Sequence, residues 1–168
     1  HMFPTWTTWP VAEGHELVEH LEVWTDGSAH IGPHVAINDQ KSGFGFALIS
    51  VGPFKSRLIG YGFSYTSLSP DDRPYIGATH HSAPVAEIQA ILVVARALAV
   101  GVRLPRSLRF FADATSALDA LEHRAKATSN TWLVHQLRAA SFALRSRTVS
   151  VSHHVAAHTG IIQNEFVD

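Results

Sequence analysis

The hydrophobic period of this chain changes at Pro84, and that change limits the fold more than any other feature. Upstream, three segments have strand character: residues 21–25, 43–51 and 57–64, the last alternating in polarity. Side chains on a strand repeat every two residues, so such runs suit pleated segments. Short connections make them antiparallel neighbours. Downstream, Val85, Ile88, Leu92, Ala95 and Leu98 recur at three- and four-residue spacing. That is the period of a helix. Pro84 suits its first turn, and Gly101 suits the position just past its end. The spacing therefore predicts a helix over 84–100, with Glu87, Ile91 and Val94 on one stripe.

Beyond Gly101 the pattern alternates between the two periods. Residues 108–112 form a short, buried-type strand. A short helix is expected over 117–124, with Thr115 or Ser116 as its cap. A polar break at 128–130 precedes a helix over 131–145, where Trp132, His135, Ala139, Phe142 and Ala143 share a stripe. Residues 148–155 alternate as a last strand, and residues 158–168 read as a loop turning into a helix. Residues 29–41 read as a long loop, and residues 66–83 as a polar insertion. Right-handed crossovers place strands four and five parallel to the first. The predicted fold class is α/β, a five-stranded mixed sheet with helices on both faces.

A chain of 168 residues suffices for one domain with a sizeable core. We assign residues 21–168 to it and residues 1–20 to an irregular arm bearing Trp6 and Trp9, with His1-Met2 as a tag remnant. No apolar run reaches the roughly 18 residues of a membrane span. The absence of cysteine excludes disulfides and thiolate metal sites and fits a reducing, intracellular setting. Formal net charge is -1. Lys and Arg supply most affinity for phosphate backbones, so near-neutrality argues against a strong free-standing nucleic-acid binder. His80-His81 and His153-His154 match no standard zinc spacing.

Four acids stand out: Asp26 and Asp113 directly after apolar strands, Glu87 on the helix between, and Asp168 at the end. Each has an ordinary reading. Asp26-Gly27 fits a turn, Asp113 fits a helix N-cap, and Glu87 fits a favourable dipole position. Their joint arrangement is more specific. Parallel neighbouring strands would bring Asp26 and Asp113 to one sheet edge, where ligands bind in open α/β sheets. Clustered carboxylates raise one another's pKa unless cations neutralise them. Their hard oxygens select Mg²⁺, with Mn²⁺ as a substitute. Two such ions about 3.5–4 Å apart clamp the attacking and leaving oxygens of a phosphodiester.

The sequence resembles the type 1 ribonuclease H family over residues 21–168. The matching motifs are Thr25-Asp26-Gly27-Ser28, Ala86-Glu87-Ile88-Gln89-Ala90 and Ala112-Asp113-Ala114-Thr115-Ser116-Ala117. The fourth is His158-Thr159-Gly160 followed by Asn164-Glu165-Phe166-Val167-Asp168. It is similar to the family's G-H-x-G…N-E-x-A-D signature, with Ala157 and Val167 at the positions of the first glycine and the alanine. The resemblance implies a two-metal endonuclease acting on the RNA strand of RNA–DNA hybrids. It implies Asp26, Glu87, Asp113 and Asp168 as metal ligands and His158 as a proton-handling or product-release residue. Gly27, Ser28 and Asn164 become substrate contacts. The long 66–83 insertion and the absence of Asn or Gln just before Glu87 look closer to the retrotransposon and reverse-transcriptase branch. That branch implies a fused or neighbouring polymerase or hybrid-binding module, with the isolated domain monomeric. Residues 122–130 hold Arg124 and Lys126 but no extended basic handle. The chain stops at Asp168, so the last helix reads as truncated. Two alternatives stand beside this reading: a weak or inactive tether of the same fold, and a nuclease of that fold acting on DNA.

Overall fold

The computed structural model describes residues 19–101, 104–124 and 130–156. The strands are β1 (His20–His30), β2 (Lys41–Val51), β3 (Ser56–Tyr65), β4 (Ser107–Ala112) and β5 (Val149–His154). The helices are α1 (Ala83–Ala99), α2 (Thr115–Leu121) and α3 (Thr131–Arg145), with one 3-10 turn at Ile37–Asp39. The sheet order is β3-β2-β1-β4-β5. β1 pairs antiparallel with β2, and β2 with β3, whereas β1–β4 and β4–β5 are parallel. The mixed sheet and its strand directions are those predicted from the change of period. No helix among the described residues is long and apolar enough to cross a membrane.

One buried cluster unites the sheet with all three helices. Leu21 and Val23 of β1, Phe46 and Leu48 of β2 and Leu108, Phe110 and Ala112 of β4 face it. α1 is buried on nearly every side because it packs on β1 and β2 with α3 against it. Its N-cap is Ser82, whose side chain accepts from the Val85 N–H at 3.2 Å. Removing one orphan amide in this way suits the start of a largely buried helix. The opposite sheet face carries a smaller cluster of Trp24, Ala47 and Ile49, with Val51, Phe111 and Val155 against it.

Several boundaries differ from expectation. The first strand does not end at Asp26. It continues to His30, with Asp26 opposite Gly45 and Ala29 opposite Ser42. The β2 ladder satisfies this backbone, so the Asp-Gly pair makes no turn, and the loop expected over 29–41 shrinks accordingly. α2 starts at Thr115 with Ala114 as N-cap and no side-chain cap, so neither Thr115, Ser116 nor Asp113 caps it. The buried stripe of α3 is Leu133, Val134, Leu137, Ala140, Ser141 and Leu144. Trp132 and Phe142, two members of the stripe read from the sequence, are 67% and 74% exposed. The helix turns its continuous aliphatic stripe toward α1 and α2, and the two aromatic residues lie off that stripe.

The segment between β3 and α1 is packed down. Thr66 Oγ1 donates to Gln89 Oε1 at 2.7 Å, Ser67 Oγ donates to Asp72 Oδ2 at 2.6 Å, and Ala78 is buried. Gln136 of α3 donates to the Ile76 carbonyl at 3.2 Å. Gly77 adopts φ +107°, and a Cβ there would lie 2.5 Å from the Trp132 ring.

Candidate metal centre

The parallel register of β1 and β4 sets the first two acids. Trp24 lies opposite Phe111, and two residues beyond each stand Asp26 and Asp113. The Trp24 and Phe111 rings stack with centroids 4.2 Å apart and planes 4° from parallel. His153 of β5 continues the stack on Phe111 at 5.1 Å. This aromatic row holds the two strands in step just before the acids.

Glu87 arrives from the other side. It lies on α1, is 2% exposed, and sits where the α1 backbone presses on Gly27 of β1. A Cβ on Gly27 would lie 2.5 Å from the Glu87 nitrogen and 2.8 Å from the Ala86 carbonyl carbon. Both are backbone atoms, so only glycine permits this approach. The Gly27 N–H donates to Glu87 Oε1 at 2.5 Å and to Asp26 Oδ1 at 2.9 Å. Glu87 Oε2 is buried with no hydrogen-bond partner among the described residues. Asp26, Glu87 and Asp113 each offer a carboxylate oxygen, and these oxygens lie within 4.8 Å of one another.

The electrostatics follow from that packing. Burial pushes the Glu87 carboxyl up to about 9, helped by the Asp26 carboxyl beside it and by the charge of Asp113. The Gly27 N–H opposes the shift. Without a cation Glu87 therefore holds its proton at neutral pH. A partnerless buried oxygen among like-charged neighbours fits a hard divalent cation, which takes carboxylate oxygens.

No protein-family model matches the chain, and no curated protein matches it. Solved structures do. Ribonuclease H1 of the halophilic archaeon Halobacterium salinarum superposes with a TM-score of 0.61 at 14% identity, covering 89% of this chain and 92% of that one. The fold is that of ribonuclease H. LC11-RNase H1 in complex with an RNA/DNA hybrid gives a TM-score of 0.60 at 14% identity over 88% of this chain and 93% of its own. A foamy viral protease-reverse transcriptase in complex with an RNA/DNA hybrid gives 0.60 at 14% identity. There 98% of this chain matches 21% of the larger one.

Within this ribonuclease H fold, three of the four acids singled out in the sequence meet where β1, the end of β4 and the start of α1 converge. Ser28 is exposed two residues beyond Asp26. His158, Asn164 and Asp168 lie outside the described residues. Among the described residues, no group of three metal-ligating side chains includes His80, His81, His153 or His154. The adjacent histidines of β5 instead divide their work. His153 stacks on Phe111, and His154 Nε2 donates to the Asp113 carbonyl at 3.0 Å. The Val155 N–H also donates to the Ala112 carbonyl at 3.0 Å. His154 thus ties down the turn that carries Asp113. Sequence reading weighed this residue only as a zinc ligand and missed this role, whose signal was its place in the strand that follows the acid-bearing one.

Proposed function

We propose that this chain is a metal-dependent endonuclease that hydrolyses the RNA strand of RNA–DNA hybrids. The observation that carries the reading is the convergence of Asp26, Glu87 and Asp113 where β1, β4 and α1 meet in the ribonuclease H fold. Divalent cations bound there, Mg²⁺ or Mn²⁺, would lower the pKa of water and neutralise charge on the phosphoryl oxygens. Asp26, Glu87 and Asp113 would hold two such ions, with Asp168 as the fourth ligand. The protein's own part is placement. Gly27 directs one Glu87 oxygen inward through its N–H, and the Trp24–Phe111 stack keeps Asp26 level with Asp113. Ser28 and the Gly27 backbone, together with Asn164, contact the hybrid, and a 2′-hydroxyl marks its RNA strand. His158 handles the proton or the departing product, a role suited to an imidazole pKa near ~6.5.

A retroelement polyprotein is the natural setting of this reading, with a polymerase or hybrid-binding module supplying most of the affinity. The likeness to about a fifth of a foamy viral protease-reverse transcriptase chain is one of fold, and the setting itself rests on the sequence resemblance. The test is hydrolysis of a labelled hybrid with Mg²⁺ or Mn²⁺, comparing the native chain with Asp113→Asn. The native chain should release products with 5′-phosphate and 3′-hydroxyl ends, and the variant should lose at least about two orders of magnitude in rate, as expected when charge stabilisation in the transition state is removed. Equal rates would overturn the reading.

A further inference from the structure

Asp26, Gly45 and Phe63 stand in one row across β1, β2 and β3, and Ser28, Gly43 and Tyr65 stand in the next. Paired residues on neighbouring strands point to the same face. Phe44 and Phe46, on the alternate positions of β2, are buried against or beneath α1. Both rows therefore look out on the face away from α1. Glycine in the middle strand leaves a floor of bare backbone between a wall bearing Asp26 and a wall bearing Phe63. The result is an open trough of 230 Å³ lined by Asp26, Ser28, Gly43, Gly45, Phe63 and Ser64, with Phe44 at its base.

The two walls differ in chemistry. One ends at a carboxylate of the candidate metal centre. The other is a phenyl ring that is 73% exposed on an edge strand. Two strand spacings separate them, roughly 10 Å. Glycine inside a strand marks close approach by a ligand or by another backbone. A ligand that satisfies both walls carries a flat ring at one end and an anionic, cation-bridged group at the other. Inside a duplex the faces of the bases are covered by their neighbours, so an unpaired nucleotide offers an aromatic side chain a free face that an interior paired one does not.

We propose that this trough seats an unpaired nucleotide, with its base stacked on Phe63 and its phosphate toward Asp26. The phosphate half rests on cation binding at the triad, as proposed above, and the base half does not. The test titrates short single-stranded DNA carrying one 2-aminopurine with the full chain in Mg²⁺, and quenching of the probe reports stacking. Phe63→Leu keeps an apolar side chain but removes the ring, and binding should weaken about tenfold with loss of quenching. Phe63→Trp should restore both. A blunt duplex of the same sequence should show no dependence on Phe63. Equal binding and quenching by the native chain and the Phe63→Leu variant, with melting temperatures unchanged, would overturn the proposal. So would an equal dependence on Phe63 for the blunt duplex. Hybrid hydrolysis by the native chain is scored in parallel. Stacking that depends on Phe63 without hydrolysis would leave the trough standing and remove the nuclease reading. Hydrolysis with stacking indifferent to Phe63 would do the reverse.

Discussion

Glu87 concentrates the physics of this molecule in one side chain. Its carboxyl is buried, bonded to the Gly27 N–H through one oxygen, and left without a partner among the described residues on the other. Its pKa is pushed from 4.5 to about 9, first by desolvation and then by Asp26. The consequence for stability has a definite sign. Between those two values the folded chain keeps a proton that the unfolded chain has released. The stabilisation is fully present below 4.5 and is lost as pH rises through about 9. In EDTA, the native chain should therefore show a falling melting temperature across that window. Glu87→Gln keeps an oxygen acceptor for Gly27 without a charge, so its melting temperature should respond less to pH. Native protein should also gain stability on adding Mn²⁺, because a ligand that binds the folded state stabilises it. Thermal melts of both forms, with EDTA and with Mn²⁺, check this. An Mn²⁺ response of native size in Glu87→Gln would remove Glu87 from the metal centre.

At the scale of elements, the decisive contact is between β1 and α1. Gly27 lets the strand reach the helix backbone at Ala86 and Glu87. A methyl group there has nowhere to go, because the opposing atoms are backbone rather than the end of a flexible side chain. Gly27→Ala should cost about 1–3 kcal/mol, the usual range for overpacking a closed site. It should also weaken Mn²⁺ binding, since displacing α1 displaces Glu87. Urea denaturation and calorimetry with Mn²⁺ measure the two effects, and native behaviour in both would refute this account of Gly27. The segment between β3 and α1 bears on the same region. Its buried Thr66–Gln89 hydrogen bond and its Gly77–Trp132 packing tie it to α1 and α3. Length and polarity marked it as an insertion. Its attachment to α1 and α3 depended on partners that sequence spacing does not reveal.

For the whole molecule, charge and fold pull in different directions. The fold is shared with proteins solved in complex with RNA/DNA hybrids. Yet the chain carries 13 Lys and Arg against 14 Asp and Glu. On the proposed reading, an acidic centre approaches phosphates with little net basic charge to assist it. Hybrid binding by the isolated chain should be weak and should fall steeply between low and moderate salt, as screening removes what attraction there is. Fluorescence anisotropy with a labelled hybrid across a salt series measures this. Tight, salt-insensitive binding would contradict it.

The sequence by itself determined the kinds of elements, their order and the direction of the strands. Period two before Pro84 and period 3.6 after it are local properties, and crossover handedness then leaves few topologies. It also marked Asp26, Glu87 and Asp113, because acids directly after apolar strands or on an apolar helix face are conspicuous in one dimension. Tertiary structure decided what local rules could not. β1 runs through Asp26 because β2 supplies a ladder for it. Asp113 escapes the cap role because Ala114 occupies the N-cap. α3 buries its aliphatic stripe rather than Trp132 and Phe142 because α1 and α2 choose the face. His154 gained its task at Asp113 only through the pairing of β5 with β4. In each case the deciding partner lies outside the reach of propensity and periodicity, which register only near neighbours along the chain.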